Sequence, residues 1–179
     1  MDSKYLVPVT INGKWGYEDK TWYHNVQIQP VYDEARGFSE DLAAVQLDGK
    51  WGFIDSRGRL VIPTKYDDVT VFVNGRAGVR VQGKWGFIDT HDKCIVHPDY
   101  DGVGTFSDGR GAVRCGQQWG FVDGRGTLSI PAIYDEVCCF SHGAARVRIG
   151  EKWGFIDAKG ALSVPATYDA AWDFCPGDG

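Results

Sequence analysis

Seven residues, Gly49-Lys50-Trp51-Gly52-Phe53-Ile54-Asp55, decide the fold because close copies of them recur along the chain. Each copy centres on a Trp-Gly dipeptide, and successive tryptophans are spaced by 36, 34, 34 and 34 residues. The five dipeptides begin at Trp15, Trp51, Trp85, Trp119 and Trp153. A fixed period of this length is typical of proteins built from repeated supersecondary units.

Two more columns of residues recur in register with the tryptophans. A Tyr-Asp step occurs at Tyr32-Asp33, Tyr66-Asp67, Tyr100-Asp101, Tyr134-Asp135 and Tyr168-Asp169. A phenylalanine follows it at Phe38, Phe72, Phe106, Phe140 and Phe174. We therefore predict a single domain over residues 1–179 with five units, approximately 3–38, 39–72, 73–106, 107–140 and 141–174.

The residues before each Trp-Gly dipeptide alternate as in a half-buried β-strand. We predict that two columns face the core, namely Val9, Val45, Val79, Val113 and Val147, and, two residues later, Ile11, Leu47, Val81, Cys115 and Ile149. The column between them, Thr10, Gln46, Arg80, Arg114 and Arg148, should then point away from that core.

Each unit is predicted to hold about three short strands. A hairpin turn such as Asp48-Gly49 separates the first strand from the second, which contains the Trp-Gly dipeptide. We expect Asp55 and its four equivalents to accept backbone N–H bonds in the next turn. A third strand follows, and we expect it to stop at Pro63, because proline cannot donate to a strand ladder. The glycine after each tryptophan should permit a close backbone approach.

These patterns predict an all-β fold in which the units stack as a curved, solenoid-like array of short hairpins. The alternative is a closed, propeller-like ring in which the first and last units meet. One unit cannot bury its own apolar face, so neighbouring units must supply the core.

Composition excludes several classes of protein. The chain has 179 residues, 43% hydrophobic content and a formal net charge of -5, which does not match the signature of disorder. No apolar run approaches the length of a membrane span, so no membrane partner is expected. A sequence pI near 5.3 argues against nucleic acid as a partner.

The chain contains five cysteines, which fall at unrelated phases of the repeat. A disulfide framework would give an even count and ordered spacing. The first residues also contain no apolar segment of the kind found in secretory signals. We therefore expect reduced thiols and a cytoplasmic location.

The segment from Gly49 to Asp55, with Gly58, Pro63, Tyr66 and Asp67 after it, resembles the WG-repeat (KWG-repeat) family of bacterial proteins. The copies at Lys84, Gln118 and Lys152 follow it closely, whereas the first copy has Tyr17-Glu18 in place of Phe-Ile. The resemblance implies an all-β repeat module without known catalytic residues, often acting in recognition.

No motif for phosphate binding, nucleophilic catalysis or zinc-dependent hydrolysis occurs in the expected context. The two aspartate columns recur five times at a fixed phase, which favours a structural role over a catalytic one, so we predict that the protein is not an enzyme. The best metal candidate is His91-x-x-Cys94-x-x-His97, but zinc requires a fourth ligand or an open catalytic position. We therefore predict no metal and no cofactor.

Candidate binding residues either form a row or break the pattern. Arg80, Arg114 and Arg148 share one column, with Arg76 and Arg110 four residues before two of them. This arrangement of arginines has two interpretations, internal salt bridges or a stripe that binds an acidic partner. We favour the stripe. Three aromatic residues lie off the columns and serve either as terminal caps or as anchors for a partner; they are Trp22, Tyr23 and Trp172.

We predict from these features a non-enzymatic module that binds another protein. One form of this function is an immunity protein that neutralises a bacterial toxin or effector, because an acidic surface suits a basic target. The alternative is a repeat module that binds carbohydrate or another small ligand by aromatic stacking.

Overall fold

A computed structural model describes residues 3–21 and 25–169 of the chain. These residues form an all-β fold with one short 3₁₀ helix, Ser3–Tyr5. Within the described ranges, no helix is long and apolar enough to cross a membrane.

Five antiparallel sheets follow one another along the sequence. The first sheet contains β1 (Leu6–Ile11), β2 (Lys14–Asp19) and β3 (Asn25–Tyr32). The second contains β4 (Glu34–Ser39), β5 (Leu42–Leu47), β6 (Lys50–Asp55) and β7 (Leu60–Tyr66). The third contains β8 (Asp68–Val69), β9 (Arg76–Val81), β10 (Lys84–Asp89) and β11 (Cys94–Tyr100). The fourth contains β12 (Gly102–Ser107), β13 (Arg110–Cys115), β14 (Gln118–Asp123) and β15 (Leu128–Tyr134). The fifth contains β16 (Glu136–Val137), β17 (Ala144–Ile149), β18 (Lys152–Asp157) and β19 (Leu162–Tyr168).

The all-β prediction with five repeats is confirmed by five sheets that match them, but the strand count is corrected. The second to fifth sheets have four strands, because the residues after the Tyr-Asp step form an additional strand. In the second sheet this strand is β4, where Ala35 pairs with Val45 of β5. Each of these sheets therefore begins directly after a Tyr-Asp step, before the predicted unit boundary.

The glycine of each Trp-Gly dipeptide lies against the backbone of the last strand of its sheet, and this strand is bulged there in the first, second, fourth and fifth sheets. Trp51 pairs with Tyr66 and Phe53 with Ile62, so β7 has more residues than β6 between the paired positions. A Cβ atom placed on Gly52 would lie 2.5 Å from the Ile62 carbonyl oxygen and 2.8 Å from the Thr64 nitrogen. The predicted close approach is confirmed, and only glycine has room for it.

The predicted strand end at Pro63 is wrong, because β7 continues through this proline to Tyr66. Pro63 lies within the bulge, where the ladder is already interrupted and a missing N–H costs little. The last strand is also an edge of the sheet, and a proline there protects the exposed backbone from pairing with other chains.

The chain divides into two compact units, Met1–Gly83 with Ile88–Lys93 (unit 1) and Lys84–Phe87 with Cys94–Gly179 (unit 2). In each unit the core lies between residues of consecutive repeats. In unit 1, Tyr17 contacts Phe38 at a centroid distance of 5.0 Å, and Phe53 contacts Phe72 at 4.7 Å. In unit 2, Phe121 contacts Phe140 at 4.8 Å. All three pairs are edge-to-face, a favourable geometry for aromatic rings.

Both faces of a sheet are covered, which corrects the expectation of a half-buried strand. Ala44 and Val45 are adjacent in β5 and point to opposite faces, yet they are 1% and 0% exposed. The inward valine column is confirmed from Val45 to Val147. Its partner column is not buried, since Ile11, Leu47, Val81, Cys115 and Ile149 are all exposed. These residues end their strands at the hairpin turn and project beyond the packed part of the sheet.

We expect Gly52→Ala to destabilise the protein by about 1–3 kcal/mol, because the added methyl group meets rigid backbone rather than a movable side chain. Gly37→Ala is the matched control, since a Cβ atom at Gly37 has nothing within 4 Å. The control should be neutral or should gain up to about 1 kcal/mol. Urea denaturation measures both free energies of unfolding, and equal values for the two variants would contradict the bulge as the reason for the glycine.

Candidate binding surface

In each repeat an aspartate ends the strand that contains the Trp-Gly dipeptide, and its carboxylate organises the turn that follows. The Asp123 carboxylate accepts the backbone N–H groups of Arg125 and Thr127, both at 2.9 Å. Asp55, Asp89 and Asp157 accept the equivalent pairs of N–H groups in their own turns. The bond from Thr127 and then that from Arg125 hold the pKa of Asp123 below its usual value. The predicted turn role is confirmed.

The aspartate of the Tyr-Asp step links two consecutive repeats. One Asp33 carboxylate oxygen accepts a bond from Lys14 Nζ at 2.5 Å, and the other accepts the backbone N–H of Asp48 at 2.8 Å. Asp101 makes the same two contacts, with Lys84 Nζ at 2.5 Å and the Gly116 N–H at 2.7 Å. In the first three repeats the lysine of the Lys-Trp-Gly sequence thus contacts this aspartate, which also holds the hairpin turn of the next repeat.

The arginine column makes contacts within its own sheets. Arg148 donates to the Glu136 carboxylate at 2.6 Å and to the Gly150 carbonyl at 2.7 Å. Arg80 lies 3.8 Å from the Asp68 carboxylate. Arg114 donates to the Asp101 carbonyl at 3.0 Å, and its guanidinium lies 5.8 Å from the centre of the Trp119 ring. These are the contacts expected of internal bridges, while a role for the column in partner binding stays a prediction.

The other candidate arginines do not extend this column. Arg110 donates to the Ala158 carbonyl at 2.6 Å and lies 5.0 Å from the centre of the Phe140 ring, so it links the fourth and fifth repeats within unit 2. Arg76 is half-buried and donates to the Gly75 carbonyl at 2.9 Å. The three off-column aromatic residues, Trp22, Tyr23 and Trp172, lie outside the described residues.

One surface feature that sequence reasoning missed is the exposed apolar column at the hairpin turns, which we call the hairpin column: Ile11, Leu47, Val81, Cys115 and Ile149. Exposed fractions reach 39% for Ile11, 38% for Leu47 and 43% for Ile149. The available signal was position, because each residue directly precedes a turn and so lies at the end of its sheet. Alternation alone assigned these residues to the core.

The aspartates of the Tyr-Asp steps hold the hairpin turns of consecutive repeats together. The Asp33 carboxylate accepts a bond from Lys14, which follows the turn after Ile11. It also accepts the N–H of Asp48, in the turn after Leu47. The side-chain bond from Lys50, followed by backbone bonds from Gln82 and Gly83, opposes desolvation and lowers the pKa of Asp67. Within unit 1, the turns after Ile11, Leu47 and Val81 are therefore fixed as neighbours.

The cysteines and the candidate metal ligands are distributed along the surface. Cys94 and Cys115 are free thiols, and the Cys138 sulfur accepts a bond from Arg146 at 3.1 Å. Cys139 is disulfide-bonded, so the expectation of five reduced cysteines is wrong at Cys139. Across the described ranges, no group of three or more His, Cys, Asp or Glu side chains is placed to hold a metal ion.

Five repeated sheets with Trp-Gly dipeptides in their third or second strands define a β-repeat protein. The family model described as "WG containing repeat" matches residues 25–51, 51–85, 85–118, 119–153 and 153–177, and the chain belongs to this family. The suspected resemblance is thereby confirmed. The first Trp-Gly dipeptide, at Trp15, precedes the matched residues.

Two solved structures are similar in fold. PorZ, described as an essential bacterial surface component of the type-IX secretion system of Porphyromonas gingivalis, has a TM-score of 0.54 at 10% identity, with 94% of this chain covered. BamB from Moraxella catarrhalis has a TM-score of 0.50 at 12% identity, with 91% covered. The chain spans only 28% of the first and 58% of the second. No curated protein matches the chain in sequence.

We expect stability to fall in acid as the turn aspartates are protonated. The pKa of Asp123 in the folded state is below its ordinary value of 3.8, so its contribution to stability is present above that value and is lost as the pH falls through the folded pKa. Asp123→Asn should therefore show a weaker loss of stability between about pH 5 and pH 2 than the wild type. Asp99→Asn is the control, and urea midpoints across this range are the measurement. An unchanged pH dependence in Asp123→Asn would contradict the role of its ionised form.

We also expect the protein to hold far less than one zinc ion per chain. Cys94 and His97 are three residues apart in β11, and strand residues at that spacing point to opposite faces. Elemental analysis of protein purified without added metal tests this expectation. Stoichiometric zinc that disappears in the His91→Ala/Cys94→Ala variant would contradict it.

Proposed function

We propose that this WG-repeat chain is a non-enzymatic module that binds another protein through its hairpin column. The observation that carries the proposal is the exposure of Ile11, Leu47 and Val81 at equivalent positions of consecutive repeats. Exposed apolar side chains grouped on one surface mark sites of interaction. Asp33 and Asp67 hold the turns after these three residues as neighbours, which groups the side chains.

The backbone under this surface is well suited to binding because it is already ordered. Each of these side chains precedes a tight turn, and in the second repeat Asp48 and Gly49 both have positive φ, 51° and 74°. The bond from the Asp48 N–H to Asp33 holds that turn against the preceding repeat. A surface that is rigid before binding loses less conformational entropy when a partner docks.

The two aspartate columns support a binding role over catalysis. Asp33, Asp101 and Asp123 are ionised partners of lysines or backbone N–H groups, and their pKa values are lowered. A general acid needs the opposite, a carboxyl group whose pKa is raised towards neutral pH.

The proposal also specifies the charge of the partner and the compartment in which it binds. The net charge of -5 favours a basic target, as for an immunity protein that neutralises a toxin or effector. A cytoplasmic location stays a prediction, and the disulfide at Cys139 weighs against it because disulfides persist mainly in oxidising compartments. The carbohydrate alternative depends on off-column aromatic residues that lie outside the described ranges.

We expect Leu47→Ser to weaken partner binding by about 1–2 kcal/mol while stability changes by no more than about 0.5 kcal/mol. The matched control is Leu60→Ser, in the same sheet, because Leu60 is 53% exposed but lies at the start of β7, away from the hairpin turn. Cross-linking followed by mass spectrometry in a lysate of the organism that encodes the chain identifies proteins held by the wild type. The affinity of the purified pair then measures both variants.

Two results would contradict this proposal. One is a bound protein whose affinity is unchanged in Leu47→Ser, or is reduced equally in Leu60→Ser. The other is the absence of any cross-linked protein together with saturable binding of an oligosaccharide in a glycan array, which would support the carbohydrate alternative.

A further inference from the structure

In the second and fifth sheets, a guanidinium covers the ring of the repeated tryptophan. The Arg36 guanidinium lies 4.4 Å from the centre of the Trp51 ring. The Arg146 guanidinium lies 4.3 Å from the centre of the Trp153 ring. Both distances are those of a cation–π contact. Arg36 comes from the first strand of its sheet and Arg146 from the second, so two positions of the repeat deliver the same group to the same kind of ring.

In unit 1 this contact also includes a carboxylate of the next sheet. Arg36 donates to the Val69 carbonyl, and its Nη2 donates to the Asp68 carboxylate at 3.2 Å. The other oxygen of this carboxylate lies 3.8 Å from Arg80. Trp51 is 4% exposed under Arg36. We call this arrangement the filled site, since a guanidinium is held there by a ring, a carboxylate and a carbonyl.

The fourth sheet keeps the parts of the filled site without its arginine. Gly104 lies two periods of 34 residues after Arg36, and both residues stand where the first strand of their sheet shifts in register. Ala112 lies one such period before Arg146, so both positions that supply a guanidinium in other sheets carry a small residue here. Strand β14 lies against β16 as β6 lies against β8. The other members of the filled site have equivalents in unit 2, namely Trp119, Glu136 and Val137.

The tryptophan of the fourth sheet is less covered than that of the second. Trp119 is partly exposed, whereas Trp51 is buried. Arg114 lies beside Trp119, with its guanidinium 5.8 Å from the ring centre, and donates to the Asp101 carbonyl. This distance is longer than the 4.4 Å and 4.3 Å of the two covered rings. Arg114 therefore leaves part of the indole surface accessible.

Glu136 supplies the negative charge beside this tryptophan. It bonds to Arg148 at 2.6 Å, in the way that Asp68 lies near Arg80. Asp68 holds Arg36 as well, whereas the equivalent of Arg36 in the sheet before Glu136 is a glycine. The Glu136 side chain is 54% exposed. Its carboxylate is therefore accessible to a second guanidinium from another molecule.

We propose that Gly104, Ala112, Trp119 and Glu136 form a site, which we call the Trp119 site, for one arginine side chain of a basic partner protein. The guanidinium stacks on the indole and pairs with Glu136, which reproduces the contacts of Arg36 in unit 1. Arginine suits this site better than lysine, because a planar guanidinium stacks on a ring and bonds to a carboxylate at the same time. The net charge of -5 favours a basic partner. This inference rests on the proposed function, a module that binds another protein, and adds the chemical group that is recognised.

The test titrates a peptide with a single arginine, acetyl-Gly-Ser-Arg-Ser-Gly-amide, into the isotopically labelled full chain. The readout is the indole N–H signal of Trp119 in an NMR correlation spectrum, which Trp119→Phe identifies by its loss. Two matched peptides carry lysine, which keeps the charge, or citrulline, which keeps the shape without the charge. We expect the arginine peptide to shift the Trp119 signal, with an affinity about threefold above that of the lysine peptide and about tenfold above that of the citrulline peptide.

Gly104→Arg should fill the site from within, as Arg36 does in unit 1, and should weaken binding of the arginine peptide about tenfold. The matched control is Gly124→Arg, which adds the same charge at the far end of β14, where an added Cβ meets its nearest non-adjacent atom at 3.9 Å. The control should change the affinity less than about twofold, because an exposed charge at that distance is largely screened. Arg114→Gln reproduces Gln46 of the second sheet and should bind the peptide more tightly, because it removes a competing charge.

Melting curves show whether each variant folds. A Cβ atom on Gly104 would lie 3.1 Å from the Ala112 Cβ, which is a tight contact. If Gly104→Arg does not fold, Arg36→Gly tests the converse within unit 1. This variant uncovers Trp51, whose indole signal should then respond to the arginine peptide. No response of Trp51 would contradict the filled site as the template for the inference.

The hairpin column and the Trp119 site are tested separately. Leu47→Ser should bind the arginine peptide as the wild type does, because Leu47 lies outside the site. A partner protein that is lost in Leu47→Ser but binds Gly104→Arg with wild-type affinity would support the hairpin column and contradict the Trp119 site.

Four further results would overturn the inference. The first is a Trp119 signal that responds to the arginine peptide only in Arg114→Gln, which would show that Arg114 closes the site. The second is an equal response to the three peptides. The third is an equal loss in Gly104→Arg and Gly124→Arg, which would show that only total charge matters. The fourth is a shift with protein concentration alone that is absent from Gly104→Arg, which would assign the site to a second copy of the chain.

Discussion

The repeat depends on the close approach of one glycine to a bulged strand. In the second sheet the Ile62 carbonyl and the peptide after it lie where the Cβ of any other residue at Gly52 would be. The equivalent glycine in the first, third, fourth and fifth repeats meets the same backbone positions. Because the bulge adds residues to β7, Trp51 can pair with Tyr66 while Phe53 pairs with Ile62. The aromatic residues thereby reach the positions from which they contact the next repeat.

Much of this architecture can be predicted from the sequence because its signals are local and repeated. The period, the hairpin turn at Asp48-Gly49, the turn role of Asp55 and the close approach at Gly52 each follow from residue type and spacing. The extra strand and the burial of both sheet faces do not, because they depend on packing between repeats. Ala44 shows the difficulty, since a small residue beside Val45 carries no sequence signal for burial.

The errors have specific physical causes. Alternation placed Leu47 with Val45 in the core, but a strand can extend beyond the sheet that covers it, and its last residue is then exposed. The missing N–H of Pro63 predicts a strand end, yet a bulge accepts a proline within an edge strand. The arginine column is not among these errors: sequence cannot show that Glu136 pairs with Arg148 across two strands, and the role of the column in partner binding stays a prediction.

Residues that repeat most regularly are therefore those that build the fold, and the candidate surfaces lie beside them. The tryptophans, aspartates and the glycine are engaged in packing, turns and bridges between repeats. Leu47 lies directly before a hairpin turn, on backbone that Asp33 holds in place through the Asp48 N–H. Such positions can vary between repeats without loss of the fold, which suits a scaffold that presents different side chains to a partner.

The most direct test of this account is an alanine scan of all five Trp-Gly glycines, including Gly16, which precedes the residues matched by the family model. A Cβ atom on Gly16 would lie 2.8 Å from the Pro30 nitrogen, and one on Gly120 would lie 2.7 Å from the Ala132 nitrogen. The measurement is the free energy of unfolding in urea for each single variant. The account predicts that Gly16→Ala is destabilised as much as the other four, by about 1–3 kcal/mol. Wild-type stability in Gly16→Ala, or a loss at only one of the five positions, would contradict a shared glycine-to-bulge constraint.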